Sequence, residues 1–388
     1  MMFSSAHPGN RATWIWGLAI AVSLTSQAST QAAAPSPVQD RTIGYVLTKQ
    51  YWAVQAGDEK KECPDGFNEG PREQYDAQFP KISRQRTVLE TELKREADIW
   101  FPTAAPDQFA YKVQMGTTAP GLNLDGKKGP HDYTSPDGEK GVDNEFSRVQ
   151  GCISGMRPGP DSFSYFYNNR GTRQEAYGRL LIEITNVDDL TNDDDITVNL
   201  YRGLEPLRTD STAAVDLPYA TQRIDTRWGK KITRVLRGRI ANGVLITEPT
   251  DITLPEPYYN SSRTEVFMRD GRFRLNLSPT AATGLLGGYV DIPSWHLNVQ
   301  RGYGVYLLGH DPQSSASVYK AMMKYADAYP DAAGHNTAIS AAKNLTFTQV
   351  FVQHSPAFEC QSTASNVDPL TACKLRDGAA RVAQSKGH

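Results

Sequence analysis

MRDGRFRLNL, residues 268–277, is the stretch on which the fold turns. After Gly271 it alternates cleanly, with Phe273, Leu275 and Leu277 facing one way and Arg272, Arg274 and Asn276 the other. That two-residue period is the mark of a half-buried strand. Upstream, 264–268 reads as a second short strand, with Asp270-Gly271 as the turn between the two. The same grammar recurs at 231–240 and 244–247, either side of Asn242-Gly243. Asn-Gly and Asp-Gly suit tight hairpins because type I′ turns need positive φ at both central residues. Further out, 179–185 (RLLIEIT) and 196–202 (ITVNLYR) alternate around an acidic loop, and Gly287-Gly288-Tyr289 leads into a strand at 290–292. Antiparallel hairpins in this number predict a mainly β protein, a sandwich or barrel-like domain with a few short helices. The helices expected are at 314–329, where Val318, Met322, Tyr325 and Tyr329 recur at helical intervals before Pro330, and at 337–343, ahead of a strand at 345–352.

The chain before this domain is turn-rich. CPDG, LNLDG, SPDG and RPGPD punctuate it, and one helix is expected at 84–100. The expected organisation is a signal peptide at 1–33, a loop-rich, disulfide-pinned segment at 34–175, the antiparallel β domain at 176–352, and a mobile polar tail at 353–388. Arg11 followed by eleven apolar residues at 14–24 and small residues around Ala28 has the three-part form of a cleaved secretory signal. A bilayer span needs about 20 apolar residues, so this stretch is too short to anchor, and the mature chain is expected to lack a transmembrane segment. The expected location is periplasmic or secreted.

A formal net charge of −2 gives no global pull toward nucleic acid. The four cysteines, Cys63, Cys152, Cys360 and Cys373, form an even set that suits two disulfides in an oxidising compartment. Of the three possible pairings, Cys63–Cys152 with Cys360–Cys373 is favoured, since the second bridge would close a short loop in a tail with little core of its own. No spacing fits a zinc knuckle or covalent haem, and no nucleotide motif is present.

Two stretches are candidate Ca²⁺ sites. In the loop at 188–195, Asp188, Asp189, Asp193, Asp194 and Asp195 repel one another unless solvated or neutralised, and Ca²⁺ takes oxygen ligands of this kind. The loop lacks the order of an EF-hand, and the plain alternative is a hairpin tip of solvated carboxylates. The second stretch holds Asp132, Asp137, Glu139, Asp143 and Asn144, with Gly138 and Gly141 free to turn carbonyls toward an ion; its plain alternative is a Pro-Asp-Gly turn. The basic run at 223–239 reads as an edge strand protected by charge rather than an anion groove. G-x-S-x-G is absent. Ser317-x-x-Lys320 and Ser340-x-x-Lys343 lack a companion K-T-G, so their serines read as N-terminal helix residues.

Taken together, CPDG at 63–66, LNLDG at 122–126, SPDGEKGVDN at 135–144, VDDLTNDDDITVNLY at 187–201, VLRGRIANGVL at 235–245, MRDGRFRLNL at 268–277, GGYVDI at 287–292 and YPDAAGHNTAISAA at 329–342 resemble a family of exported bacterial proteins with no assigned activity. The resemblance runs to about Val352 and implies that Cys63 and Cys152 are natural partners, the tail lying outside the pattern. It carries over no catalytic residue. The leading expectation is an exported, non-catalytic binding or accessory protein with a carbohydrate or another exported protein as ligand. An extracellular polymer hydrolase using paired carboxylates is the alternative, and an accessory role in an exported redox system, which the resemblance suggests, is a third.

Overall fold

The computed structural model describes residues 36–68, 81–87, 90, 100–104, 111–159, 162, 169, 171–173, 176–227, 229–256, 264–300 and 315–354. The expected signal peptide, most of the helix expected at 84–100, and the tail with Cys360 and Cys373 lie outside them. The start of that helix, residues 84–87, is not helical.

The antiparallel sheet closes on itself as an eight-stranded barrel. Its staves run in the order β1 (Thr42–Trp52), β4 (Leu180–Thr185), β5 (Asp193–Arg202), β7 (Arg234–Ala241), β8 (Val244–Thr247), β10 (Thr264–Leu277), β11 (Ala281–Asp291) and β13 (Asn336–Gln353). Pairing of β13 back to β1, from Gly44 opposite Val350 to Trp52 opposite Lys343, completes the ring. Closure removes the open edges that would otherwise template aggregation. Short strands complete the sheet: β9 (Thr250–Glu256) pairs with the first half of β10, β6 (Ala220–Arg223) runs parallel to the end of β13, and β12 (Ala328–Pro330) flanks its start. Apart from this sheet, β2 (Tyr133–Thr134) and β3 (Lys140–Val142) pair as a two-stranded ribbon.

The inward faces carry the core: Ile43, Tyr45, Ile182, Val198, Leu236, Phe273, Leu275, Ile339 and Phe347 are each no more than 1% exposed. One end of the barrel is plugged by α2 (Glu145–Gln150), α3 (Ile292–Trp295) and α4 (Ser315–Lys324), which follow a one-turn α1 (Glu59–Glu62). Their Phe146, Val149, Trp295, Val318 and Met322 join the barrel core. Phe146 stacks on Trp52 with centroids 4.3 Å apart and meets Trp295 edge-on at 5.9 Å.

Several expectations need correction. Asn242-Gly243 is a tight hairpin turn with φ of 52° and 77°, but Asp270-Gly271 is no turn. β10 runs straight through it, and its pairing with both β9 and β11 slips there. Only Asp270 takes positive φ, at 48°, so the pair forms a β-bulge that bends the long strand rather than a type I′ turn. Residues 337–343 are not a helix but the start of β13. Their helix-prone TAISAAK sequence is overridden by pairing with β11 on one side, and with β1 on the other where Lys343 meets Trp52. α4 ends at Lys324, and residues 328–330 turn back as β12. The basic strand begins at Arg234 and is bonded to β5 and β8 on its two sides, so it is central and not an edge. The barrel also begins earlier than expected, because TIGYVLTKQYW forms β1 inside the segment read as loops.

Candidate functional site

The loop-rich segment is fastened to the barrel before it builds anything. Cys63 and Cys152 form a disulfide with Cα atoms 5.7 Å apart. Beside it Arg157 and Glu62 form a buried ion pair. Residues 111–116 are threaded between these anchors, with the Gln114 amide donating to the Arg148 carbonyl (2.8 Å) and that of Met115 to the Glu62 carbonyl (2.7 Å). Further on, Leu122 and Leu124 pack with Tyr289 and Ala338 on the outer face of β11 and β13. Arg274 reaches out to Glu139 (2.6 Å) and the Gly121 carbonyl (3.2 Å), and Arg272 to the Leu124 carbonyl (3.0 Å). The outward arginines of MRDGRFRLNL therefore serve as clamps for the overlay.

Between this overlay, Tyr289 of β11 and the turn after α4 lies a pocket of about 530 Å³. Its walls carry five carboxyl groups, Asp125, Asp132, Asp143, Glu145 and Asp327, against Arg148 and Lys324, with His131 among them. Val113, Met115, Val142, Tyr325 and Ala326 supply the apolar and aromatic surface. Such a volume and a mixed lining suit a small organic ligand.

Glu145 and Arg148 neutralise each other through two bonds of 2.6 and 2.9 Å, which leaves the four aspartates in excess. Asp143 accepts the Leu124 amide at 2.6 Å and that of Asp125 at 3.3 Å. Burial nevertheless pushes its carboxyl above the ordinary aspartate value, and the charges of Asp125 and Asp132 add to the push. Asp327 accepts the Ser340 amide at 2.8 Å. The protein mass around it raises its carboxyl to about 6, with Glu145 and Asp143 contributing. The Asp327 residue is itself exposed to pocket solvent, and that water limits the rise. The Tyr289 phenol is raised chiefly by burial, and the charges of Asp143, Asp327 and Asp125 add to the rise. Tyr133, 1% exposed, has a hydroxyl with no hydrogen-bond partner among the described residues. After burial, the charges that act on that hydroxyl are those of the wall residues Glu145, Arg148 and Tyr325.

Of the residues expected to hold Ca²⁺, Asp132 and Asp143 reach this pocket. Asp137 accepts the Ser135 hydroxyl. Asn144 is a buried post: it caps α2 by accepting the Ser147 amide (3.0 Å) and donates to the carbonyls of Ala53 (2.8 Å) and Pro120 (2.6 Å). Gly141, at φ 83°, is needed for close approach, since a Cβ there would lie 2.6 Å from the Lys127 carbonyl. The loop at 188–195 caps the opposite end of the barrel. Asp188 pairs with Arg41 at 2.8 Å, and Asp189 accepts the amides of Thr191 (2.9 Å) and Asn192 (3.3 Å). Asp193 accepts those of Asp188 (2.7 Å) and Asp195 (3.2 Å), while the side chains of Asp194 and Asp195 lie at the surface. Among the described residues, no group of three or more His, Cys, Asp and Glu side chains converges as metal ligands. Asp125, Glu145, Tyr289, Tyr325 and Asp327 were not singled out by sequence reasoning. The only signal was indirect: Asp125 ends the LNLDG turn, and Asp327 sits where the helical period of 314–329 fails.

A second charged feature lies inside the barrel. Lys343 points inward beneath Trp52, its Nζ 4.5 Å from the ring centroid, and forms an ion pair with Glu256. Both side chains are fully buried, and Gln50 completes the group with its Oε1 3.1 Å from Nζ. No family model, curated protein or solved structure matches this chain. No helix among the described residues is long and apolar enough to cross a membrane.

Proposed function

We propose that the protein is an exported binding protein that takes a small polar ligand, such as a sugar unit of an oligosaccharide, in the pocket between the overlay and β11. The observation that carries this reading is the pocket itself. Carboxylates can accept ligand hydroxyls, and Tyr289 and Tyr325 offer ring surface. The buried disulfide supports export, since such bonds persist in oxidising compartments. Calorimetric titration with a panel of mono- to tetrasaccharides tests the reading. It expects saturable binding by at least one member that is weakened by Asp327→Asn. A panel without a binder overturns the sugar assignment.

A second reading, an oligosaccharide hydrolase, is favoured by one observation: a carboxyl raised to about 6 lines the same pocket as other carboxyl groups. A glycosidase needs one protonated acid and one ionised partner. Release of reducing ends from oligosaccharides, lost in Asp327→Asn, supports that reading; binding without turnover refutes it.

A further inference from the structure

We propose that the buried side chains of Lys343 and Gln50 join in an amide bond, a covalent staple between the first and last staves of the barrel, with Glu256 carrying the protons. The inference stands apart from the pocket and its ligand. Strand pairing brings the reactants together: Trp52 lies opposite Lys343 and Gln50 opposite Leu345, so Gln50 and Lys343 are diagonal neighbours on one face. Lys343 Nζ donates to Gln50 Oε1 at 3.1 Å, is ion-paired with Glu256, and sits 4.5 Å from the Trp52 ring centroid. The Gln50 carbonyl carbon is one C=O bond of about 1.2 Å from Oε1, and hence no more than about 4.3 Å from Nζ. A small side-chain rotation brings it within attacking distance. Gln50 is held in place for this, its Nε2 donating to the Thr172 hydroxyl (3.2 Å) and the Pro255 carbonyl (3.4 Å). Lys343 and Glu256 are fully buried and Gln50 is 2% exposed, so bulk water does not reach the group.

A lasting ion pair is a poor use of this place. Two charges held out of water are costly, and Glu256 Oε1 has no hydrogen-bond partner among the described residues. Burial also draws the Lys343 ammonium below the ordinary lysine value, although Glu256 opposes it. Passing a proton to Glu256 removes both charges and leaves a neutral amine, which is a nucleophile. The amine lone pair forms the new C–N bond to the Gln50 carbonyl carbon, and the π electrons move to Oε1. Glu256 returns its proton to Nε2, the old C–N bond breaks as the carbonyl re-forms, and Nε2 departs as ammonia. Glu256 takes the second proton from Nζ and ends protonated. The sum is one side-chain amide and one ammonia, with no oxidant or reductant. The bond ties positions 293 residues apart across the seam that closes the ring, where a cross-link restrains the unfolded chain strongly. It forms only after folding has brought β1 to β13. Freshly folded chains therefore hold the ion pair, and the stability that the pair contributes is read on them before the amide appears.

Mass spectrometry of the purified wild-type chain, followed during prolonged incubation, tests the proposal without any variant that has to fold. The intact mass is expected to fall by one ammonia, and protease digestion to yield a joined peptide holding Gln50 and Lys343. Gln50→Met and Lys343→Met should keep their full mass. Glu256→Gln, which cannot carry the protons, should form the bond about a hundredfold more slowly or not at all. Melting curves of the three variants verify that each is folded. A wild-type chain that keeps its full mass overturns the proposal. So does loss of ammonia without the joined peptide, since ring closure at Asn242-Gly243 releases ammonia as well. Loss of water with a peptide joining Glu256 to Lys343 overturns the assignment of Gln50 as the acceptor.

Discussion

Replacing Lys343 by Met should cost about 3–5 kcal/mol at neutral pH, because the change strands a charge inside the barrel. Lys343 and Glu256 are both fully buried, and Glu256 Oε1 has no hydrogen-bond partner among the described residues. In the wild type, burial pulls the Lys343 ammonium below the ordinary lysine value, and Glu256 opposes that pull. With methionine at 343 the carboxylate keeps its burial and loses its counter-charge. Its escape is to take up a proton. For an unperturbed glutamate near 4.3 that costs about 1.4 kcal/mol per pH unit, or about 3.7 kcal/mol at pH 7 and about 1 kcal/mol at pH 5. The sign follows from linkage: a carboxyl whose folded-state value is raised contributes stability at low pH that is lost as pH rises. The deficit of Lys343→Met, read by urea unfolding, should therefore shrink by roughly 2–3 kcal/mol between pH 7 and pH 5. The double variant Lys343→Met, Glu256→Leu should recover most of the loss, since apolar replacement of a buried pair is often neutral or stabilising. A single-variant deficit below about 1 kcal/mol at pH 7, or one that does not change with pH, would refute the reasoning.

Other outcomes follow from the same structure. Cys63→Ser removes a bridge spanning 89 residues and should lower stability by up to about 4 kcal/mol on the chain-entropy estimate; non-reducing peptide maps of the wild type should pair Cys63 with Cys152. Asp327→Asn should raise the melting temperature at pH 8, because its carboxyl is held near 6 in the folded chain. That gain should vanish as the pH falls below about 4, where the acid is protonated in both states. Gly243→Ala forces a side chain into φ 77° and should cost about 1 kcal/mol, measured by urea unfolding.

What the sequence made legible follows from how local each cause is. RFRLNL announces its strand because alternation is written into six consecutive residues, and Phe273 and Leu275 are indeed core while Asn276 is exposed. Asn242-Gly243 announces its turn because both residues tolerate positive φ. The first and last strands were hidden for opposite reasons. In TIGYVLTKQYW the alternation is blurred because both faces are covered, six consecutive residues from Ile43 being buried. In β13 the small residues Ala338, Ser340 and Ala342 read as helix formers, yet they are small because the overlay packs on that outer face. The Ser340 hydroxyl accepts the Glu145 amide at 2.9 Å there, and no local pattern carries that long-range demand.

The pocket was half legible for the same reason. Asp132 and Asp143 stood out as carboxylates near glycine turns, but their partners Asp125 and Asp327 come from other segments, and barrel closure decides which segments meet. β11 brings Tyr289 to the face on which Leu122 and Leu124 pack, and the end of α4 hands the chain to β12 in a turn that sets Asp327 at the Ser340 amide. The acidic loop at 188–195 is denser in carboxylates yet spends several of them on its own backbone amides and on Arg41. Charge density along the chain therefore does not tell which of the two stretches lines a pocket. A carboxylate in a turn is usually engaged by the turn, and Asp125 and Asp132 accept the amides of Lys127 and Gly129 in this way; what sets them apart is that distant segments bring them around one cavity. On the proposed reading, the ligand-facing charge belongs to the plugged end of the barrel, where the overlay is pinned by a disulfide and two arginine clamps.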